Sequence, residues 1–142
     1  MPDIIHSINI NAAPAAVRAL VSTADGLQKW WAEDVELLAD GAVSLGFFNR
    51  TTIYRLRPLE QGALCVAWRC ETGQEWEGTD LVFSLHEKPS GSQLDFVHRN
   101  WRTATPYFIS CNTTWGGLMF RIRGAAEGQA PGPLFRRNSL AY

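Results

Sequence analysis

The sequence is short of charge, cysteine and histidine, and each shortage closes off a class of function. Only 19% of its 142 residues are charged, against roughly 25% in an average soluble domain. Thirteen Lys plus Arg stand against fourteen Asp plus Glu, a formal net charge of −1. With no run of like charge, the chain has no long-range field to draw in a phosphate backbone or an anionic bilayer, so neither nucleic acid nor a membrane is expected as a partner. No segment approaches the roughly 18 consecutive apolar residues of a membrane span. The first residues, MPDIIHSINI, carry Asp3 and reach Asn9 and Asn11 too soon for the apolar stretch of a secretion signal, which predicts a cytoplasmic protein.

The cysteines Cys65, Cys70 and Cys111 are odd in number and form no C-x-x-C pair, so they predict neither a disulfide framework nor a zinc knuckle, but reduced, buried thiols. His6, His86 and His98 are scattered, with no i, i+4 pair and no H-E-x-x-H, and no metal or other cofactor is expected. The stretch from Gly41 to Gly46 reads G-x-x-S-x-G where a nucleophile elbow needs G-x-S-x-G, so it is set aside.

Apolar and aromatic residues are plentiful: 46% of the chain is apolar, with six Trp, seven Phe and three Tyr. A chain of this length buries roughly 70% of the surface its unfolded form exposes, enough for one core without disulfide or metal. Ile4, His6, Ile8 and Ile10 alternate with polar residues and predict a strand. Pro14 suits the first turn of a short helix whose apolar side is Val17, Leu20 and Val21. Asp25 and Gly26 open a second helical turn that closes at Trp30 and Trp31, and adjacent residues on a helix diverge by about 100°, so only one of these rings is expected inside.

From Gly41 to Trp101 the period is two, in five runs. Their inward residues are Val43, Leu45 and Phe47; Thr52, Tyr54 and Leu56, stopping at Pro58; Leu64, Val66 and Trp68; Thr79, Leu81, Phe83 and Leu85; and Leu94, Phe96, His98 and Asn100. Short turns between them predict an antiparallel meander with one buried face. Thr105 and Pro106 then start a long helix whose stripe is Phe108, Cys111, Trp115, Leu118, Met119 and Ile122, with Gly116 and Gly117 expected to allow a close approach or a bend. Beyond Gly124 the composition turns to Gly, Pro and Ala. Residues 1–126 thus form the predicted domain and 127–142 a tail. Leu134 and Phe135 are the tail's expected anchors, on this subunit or on a neighbour in a homodimer.

Four strings, I-N-A-A-P-A-A-V (Ile10 to Val17), G-L-x-K-W-W (Gly26 to Trp31), W-E-G-T-D-L-V-F-S-L (Trp76 to Leu85) and C-N-T-T-W-G-G-L (Cys111 to Leu118), occur in the order found in the START-like superfamily. The chain most resembles its bacterial branch related to the C-terminal domain of the activator of Hsp90 ATPase. Arg18 stands where relatives often carry an aromatic, and the tail after Gly124 lies outside the resemblance. The resemblance implies an α+β helix-grip fold: a curved antiparallel sheet of about six strands wrapped around a long C-terminal helix, with two short helices after the first strand. It also implies a cavity between sheet and helix, while leaving open ligand carriers, cyclases or aromatases, and chaperone activators.

A regular hairpin at Ser90 sets Leu85 opposite Leu94, Leu81 opposite His98 and Thr79 opposite Asn100, and a tight turn at Thr72 and Gly73 sets Trp68 beside Thr79 and Val66 beside Leu81. The expected cavity lining is therefore Trp31, Tyr54, Trp68, Thr79, Phe83, His98, Asn100, Cys111 and Trp115. Trp76 and Trp101 fall at strand ends near the rim, Trp101 on outward parity. A mostly apolar wall with a few polar groups fits an apolar or aromatic small molecule. The alternative is a cyclase-like enzyme in which His98 moves a proton, or His98 is only a hydrogen-bonded core histidine. Chaperone activation is the least expected role.

Overall fold

The computed structural model describes residues 1–141. The alternating N-terminal segment is strand β1 (Ile4–Ile10), and Pro14 opens helix α1 (Pro14–Ser22). Helix α2 (Ala24–Leu27) is a single turn capped by Thr23, whose hydroxyl oxygen accepts from the Gly26 N–H at 2.9 Å. Strands β2 (Asp34–Leu37), β3 (Val43–Phe47), β4 (Thr52–Gln61), β5 (Cys65–Cys70), β6 (Asp80–Lys88) and β7 (Gly91–Arg99) follow as a meander. Helix α3 (Pro106–Ala126) and the two short strands β8 (Phe135–Arg136) and β9 (Ser139–Leu140) end the chain. One antiparallel sheet runs in the order β1-β7-β6-β5-β4-β3-β2, with α1 and α3 packed on its concave face. This is the α+β helix-grip fold. No helix of the described residues is long and apolar enough to cross a membrane.

The sheet has seven strands where about six were expected. The extra one, β2, is four residues long with only Val35 buried, too short to show a period. β4 continues past Pro58 to Gln61, because a shift of register between Pro58 and Glu60 accommodates the residue that cannot donate to the ladder. β6 and β7 pair as expected, Leu85 with Leu94 and Leu81 with His98. β5 and β6 are two residues out of the expected register: Trp68 faces Leu81 and Val66 faces Phe83. Their connection is a wide loop closed by Cys70 N–H to Thr79 O and Gly78 N–H to Cys70 O, not a tight turn at Gly73. An offset of two keeps every side chain on its expected face.

Three tryptophans depart from expectation. Trp30 and Trp31 are both buried, stacked at 5.4 Å with an 11° interplanar angle. The helical segment ends at Leu27, so the 100° divergence does not govern them. Trp30 donates its indole N–H to Leu20 O at 2.8 Å, tying the turn to α1. Asn100 has φ +74°, a left-handed residue that reverses strand parity. Trp101 is therefore turned into the core, 5.1 Å from the Phe108 ring, rather than lying over the sheet end. On α3, Thr105 accepts from the Phe108 N–H, a cap worth about 1 kcal/mol, and Cys111, Trp115, Leu118, Met119 and Ile122 are buried. Gly116 and Gly117 relieve no close approach: a Cβ on Gly116 would meet His6 at an ordinary 3.5 Å, and one on Gly117 would meet nothing within 4 Å. Arg18 donates to Gly62 O and Gln61 O, pinning α1 to the β4–β5 turn.

Candidate functional site

A cleft of about 280 Å³ opens at one end of the grip, between the β3–β4 hairpin, α3 and the C-terminal segment. Trp31, Trp76 and Trp115 form its inner wall, with ring centroids 5.0 Å apart for Trp31 and Trp115 and 6.1 Å for Trp31 and Trp76. Tyr54, inward on β4, stacks on Trp76 at 4.3 Å and 11°. Its hydroxyl meets that of Tyr107, from the first turn of α3, at 2.5 Å. Phe47, Phe48, Thr52, Ser110, Cys111, Thr114 and Leu118 complete the sides. Phe48, Asn49 and Arg50 all have positive φ, a run that non-glycine residues rarely adopt, and it places the Phe48 ring 6.0 Å from that of Phe135.

Phe135 and Leu140, from β8 and β9, cover the cleft. The segment is held on its own chain. Phe135 N–H donates to Trp31 O at 2.9 Å, Glu33 N–H to Phe135 O at 2.8 Å, and Leu134 N–H to Trp30 O at 3.1 Å. From α3, Arg121 donates to Pro131 O, Gly132 O and Ala141 O. Leu134 is buried, so the tail's anchors lie on this subunit.

The cleft is uncharged near neutral pH. Burial pushes the Tyr54 phenol above its ordinary value, and burial together with the Tyr54 hydroxyl pushes Tyr107 higher still. Burial likewise raises the Cys111 thiol. Among the described residues, no Lys, Arg, His, Asp or Glu lines the cleft, and no three His, Cys, Asp or Glu side chains form a metal-binding group.

Of the nine residues expected to line a cavity, the structure brings Trp31, Tyr54, Cys111 and Trp115 to the cleft. The other five lie elsewhere. Trp68 is buried against α1, donating to Val21 O at 2.9 Å, and Phe83 is enclosed by Trp30, Phe96 and Trp115. Asn100 reaches Asp80 on the convex face, because its left-handed backbone turns it over. Thr79 and His98 form a closed relay behind the inner wall. Trp115 Nε1–H donates to His98 Nδ1 at 3.2 Å, which fixes the neutral tautomer with the proton on Nε2. His98 Nε2–H then donates to Thr79 Oγ1 at 2.8 Å, and the Thr79 hydroxyl donates to Trp76 O at 2.6 Å. Burial lowers the His98 pKa to about 3. His98 is thus a core histidine, in contact with the back of the inner wall and not with the cleft.

Sequence reasoning did not name the other ten lining residues, Phe47, Phe48, Thr52, Trp76, Tyr107, Ser110, Thr114, Leu118, Phe135 and Leu140. Phe47, Thr52 and Leu118 had inward positions, Trp76 a place near the rim and Phe135 a role as an apolar anchor of the tail. Trp76 sits in the wide β5–β6 loop, where no periodicity assigns a direction.

No family model and no curated protein matches the sequence. Solved structures do. The Aha1 dimer from Colwellia psychrerythraea superposes with a TM-score of 0.79 and 25% identity, over 91% of this chain and 98% of that one. The chain has the fold of the Aha1 and AHSA1-like proteins. An AHSA1-like protein from Aeromonas hydrophila has the same fold at 12% identity, with a TM-score of 0.64 over 89% of this chain and 92% of that one. A protein from Bacillus halodurans does so at 18% identity and a TM-score of 0.70, over 89% and 97%. In this helix-grip domain the tryptophans pack the centre of the grip, and the cleft lies at its open end.

Proposed function

We propose that this chain is a binding module that holds a small apolar or aromatic molecule in the cleft at the open end of the grip. The observation that carries this reading is the cleft itself: about 280 Å³, walled by aromatic rings, with a few convergent hydroxyl and thiol groups. That size falls just below the roughly 300–1,000 Å³ of drug-sized ligand sites, as suits a small ligand, and the mix of lining is theirs. Trp31, Trp76 and Trp115 in the wall make the test direct. Titration with a panel of small aromatics, sterols and fatty acids is expected to quench tryptophan fluorescence and raise Tm for at least one class. A panel that moves neither signal overturns the reading.

Proton-transfer catalysis has lost its candidate, since both ring nitrogens of His98 are engaged within the core. Chaperone activation, the other role offered by the resemblance, has no feature of the cleft in its favour. Within the proposal, residues 1–126 are the grip and 127–142 a cover for its open end. A cytoplasmic location belongs to the same reading, supported by three free cysteines in a fold without a disulfide. So does a homodimer. The Colwellia protein is a dimer, and here Phe48 and Leu140 leave apolar surface exposed beside the tail. Light scattering on the purified chain that gives the monomer mass at all concentrations removes that part of the proposal.

A further inference from the structure

Resting on the reading of the cleft as a ligand site, we propose that the ligand is an uncharged, planar aromatic compound bearing a hydrogen-bond acceptor, such as an aryl ketone, and not a fatty acid or other anion. The shape argument comes from the rings. Tyr54 and Trp76 lie parallel at 11°, and Trp31 and Trp115 stand around them, so the wall offers flat faces to a flat molecule. The volume of about 280 Å³ suits one or two fused rings and is too small for a long acyl chain.

The acceptor follows from counting protons. The Tyr54 and Tyr107 oxygens are 2.5 Å apart, and only one hydroxyl proton can occupy the line between them. The other O–H must point elsewhere, and the only other group the pair meets among the described residues is the Cys111 thiol, a weak acceptor, so the pair keeps one donor without an oxygen or nitrogen partner. The Trp76 indole N–H, which can only donate, is buried with no oxygen or nitrogen partner and has only the Cys111 thiol, a weak acceptor, beside it. Spare donors in an aromatic wall are complemented by a carbonyl oxygen, and a pure hydrocarbon would leave them unpaired.

The charge argument excludes anions. A carboxylate entering the cleft would lose its hydration with no Lys, Arg or His among the described lining residues to receive it. The Glu75 carboxylate, bonded to the Thr105 hydroxyl at the start of α3, adds repulsion: its charge raises the pKa of both Tyr54 and Cys111.

Three probes of matched shape test this on the full chain: 2-acetonaphthone, 2-ethylnaphthalene and 2-naphthoate, titrated by tryptophan fluorescence near pH 7.5. The ketone is expected to bind roughly 3- to 10-fold more tightly than the hydrocarbon, the worth of one net hydrogen bond, and the carboxylate least tightly. The double variant Tyr54→Phe/Tyr107→Phe is expected to erase most of the ketone's advantage while leaving 2-ethylnaphthalene binding within about twofold. Should that variant not fold, the infrared carbonyl stretch of 2-acetonaphthone bound to the unaltered protein decides, with a shift to lower frequency than in a hydrocarbon solvent expected. Equal affinity for ketone and hydrocarbon, tightest binding of the carboxylate, or an unshifted carbonyl band overturns the proposal and leaves the binding module standing. If none of the three binds while a sterol or fatty acid from the wider panel does, the ligand class is wrong; if nothing binds, both readings fall.

Discussion

His98 is neutral in the folded protein near neutral pH, its one ring proton on Nε2, because burial lowers its pKa to about 3 and its Nδ1 already accepts from Trp115. In the unfolded chain the same group titrates near 6.5. The depressed value means that unfolding takes up a proton between those limits. Stability contributed by the neutral ring is therefore complete above about pH 6.5 and falls as pH drops toward 3, at up to about 1.4 kcal/mol per unit. Between pH 7.5 and pH 5 the loss from this one group is expected to be about 2 kcal/mol. Urea denaturation at the two pH values measures it, and in His98→Gln, less stable overall, the pH-dependent part should shrink to a few tenths. A variant with the same pH slope as the parent would show that another group titrates. The inward parity of His98 was legible in the sequence. That it faces a tryptophan and a threonine, with no cavity beside it, was not, since which inward residue borders empty space depends on how large side chains from other elements fill the volume.

At the scale of elements, most of the sheet was legible because alternation is local, and what escaped came from connections. Asp80 shows the sheet's own logic. It sits between Arg69 on β5 and Arg99 on β7 in the observed register, its carboxylate only 2% exposed. Burial by itself would raise its pKa, but the hydrogen bonds from Arg69 and Arg99 outweigh this and hold it below the ordinary carboxylate value. The arginines are 36% and 46% exposed, so the pair is partly screened. Asp80→Asn is expected to cost about 2 kcal/mol, below the 3–5 of a fully buried pair, seen as a lower denaturation midpoint with an unchanged m-value. The tail gives the opposite case. Its turn-rich sequence hid a hairpin whose partners are backbone groups of residues 30–33 and an arginine on α3, and long-range backbone pairing leaves no periodic trace. Phe135→Ala removes the ring that packs edge-on against Phe47 at 4.9 Å. The expected outcome is greater acrylamide quenching of tryptophan fluorescence and a loss of about 2–3 kcal/mol; unchanged quenching would mean that Phe135 does not cover the cleft.

At the scale of the molecule, three distant stretches of chain, residues 48–54, the first half of α3 and the tail, surround the cleft in front of Trp31 and Trp76, on a framework whose centre is packed. The sequence named the framework because its four strings fall in or beside β1, α1, α2, β6 and α3, and they also carry Trp31, Trp76, Cys111 and Trp115 of the cleft wall. The rest of the cleft depends on a left-handed run at residues 48–50 and a hairpin beyond the grip, and the direction of Trp76 on its wide loop. Segments with few buried apolar contacts open most readily, while paired central strands open only with the whole structure. Amide exchange should therefore be fastest in residues 48–51 and 129–141 and slowest in β6 and β7, which share the longest ladder. A ligand in the cleft touches all three stretches at once, so it should slow exchange in residues 48–54, 107–118 and 134–140 together and leave the β1–β7 pairing unchanged. Protection confined to the sheet would place the ligand between sheet and helix, where Trp30, Phe83, Phe96 and Trp115 already meet, and would require those rings to move apart. The packing predicts the first pattern, since opening a cavity among four buried rings costs several kcal/mol, whereas the cleft is already open.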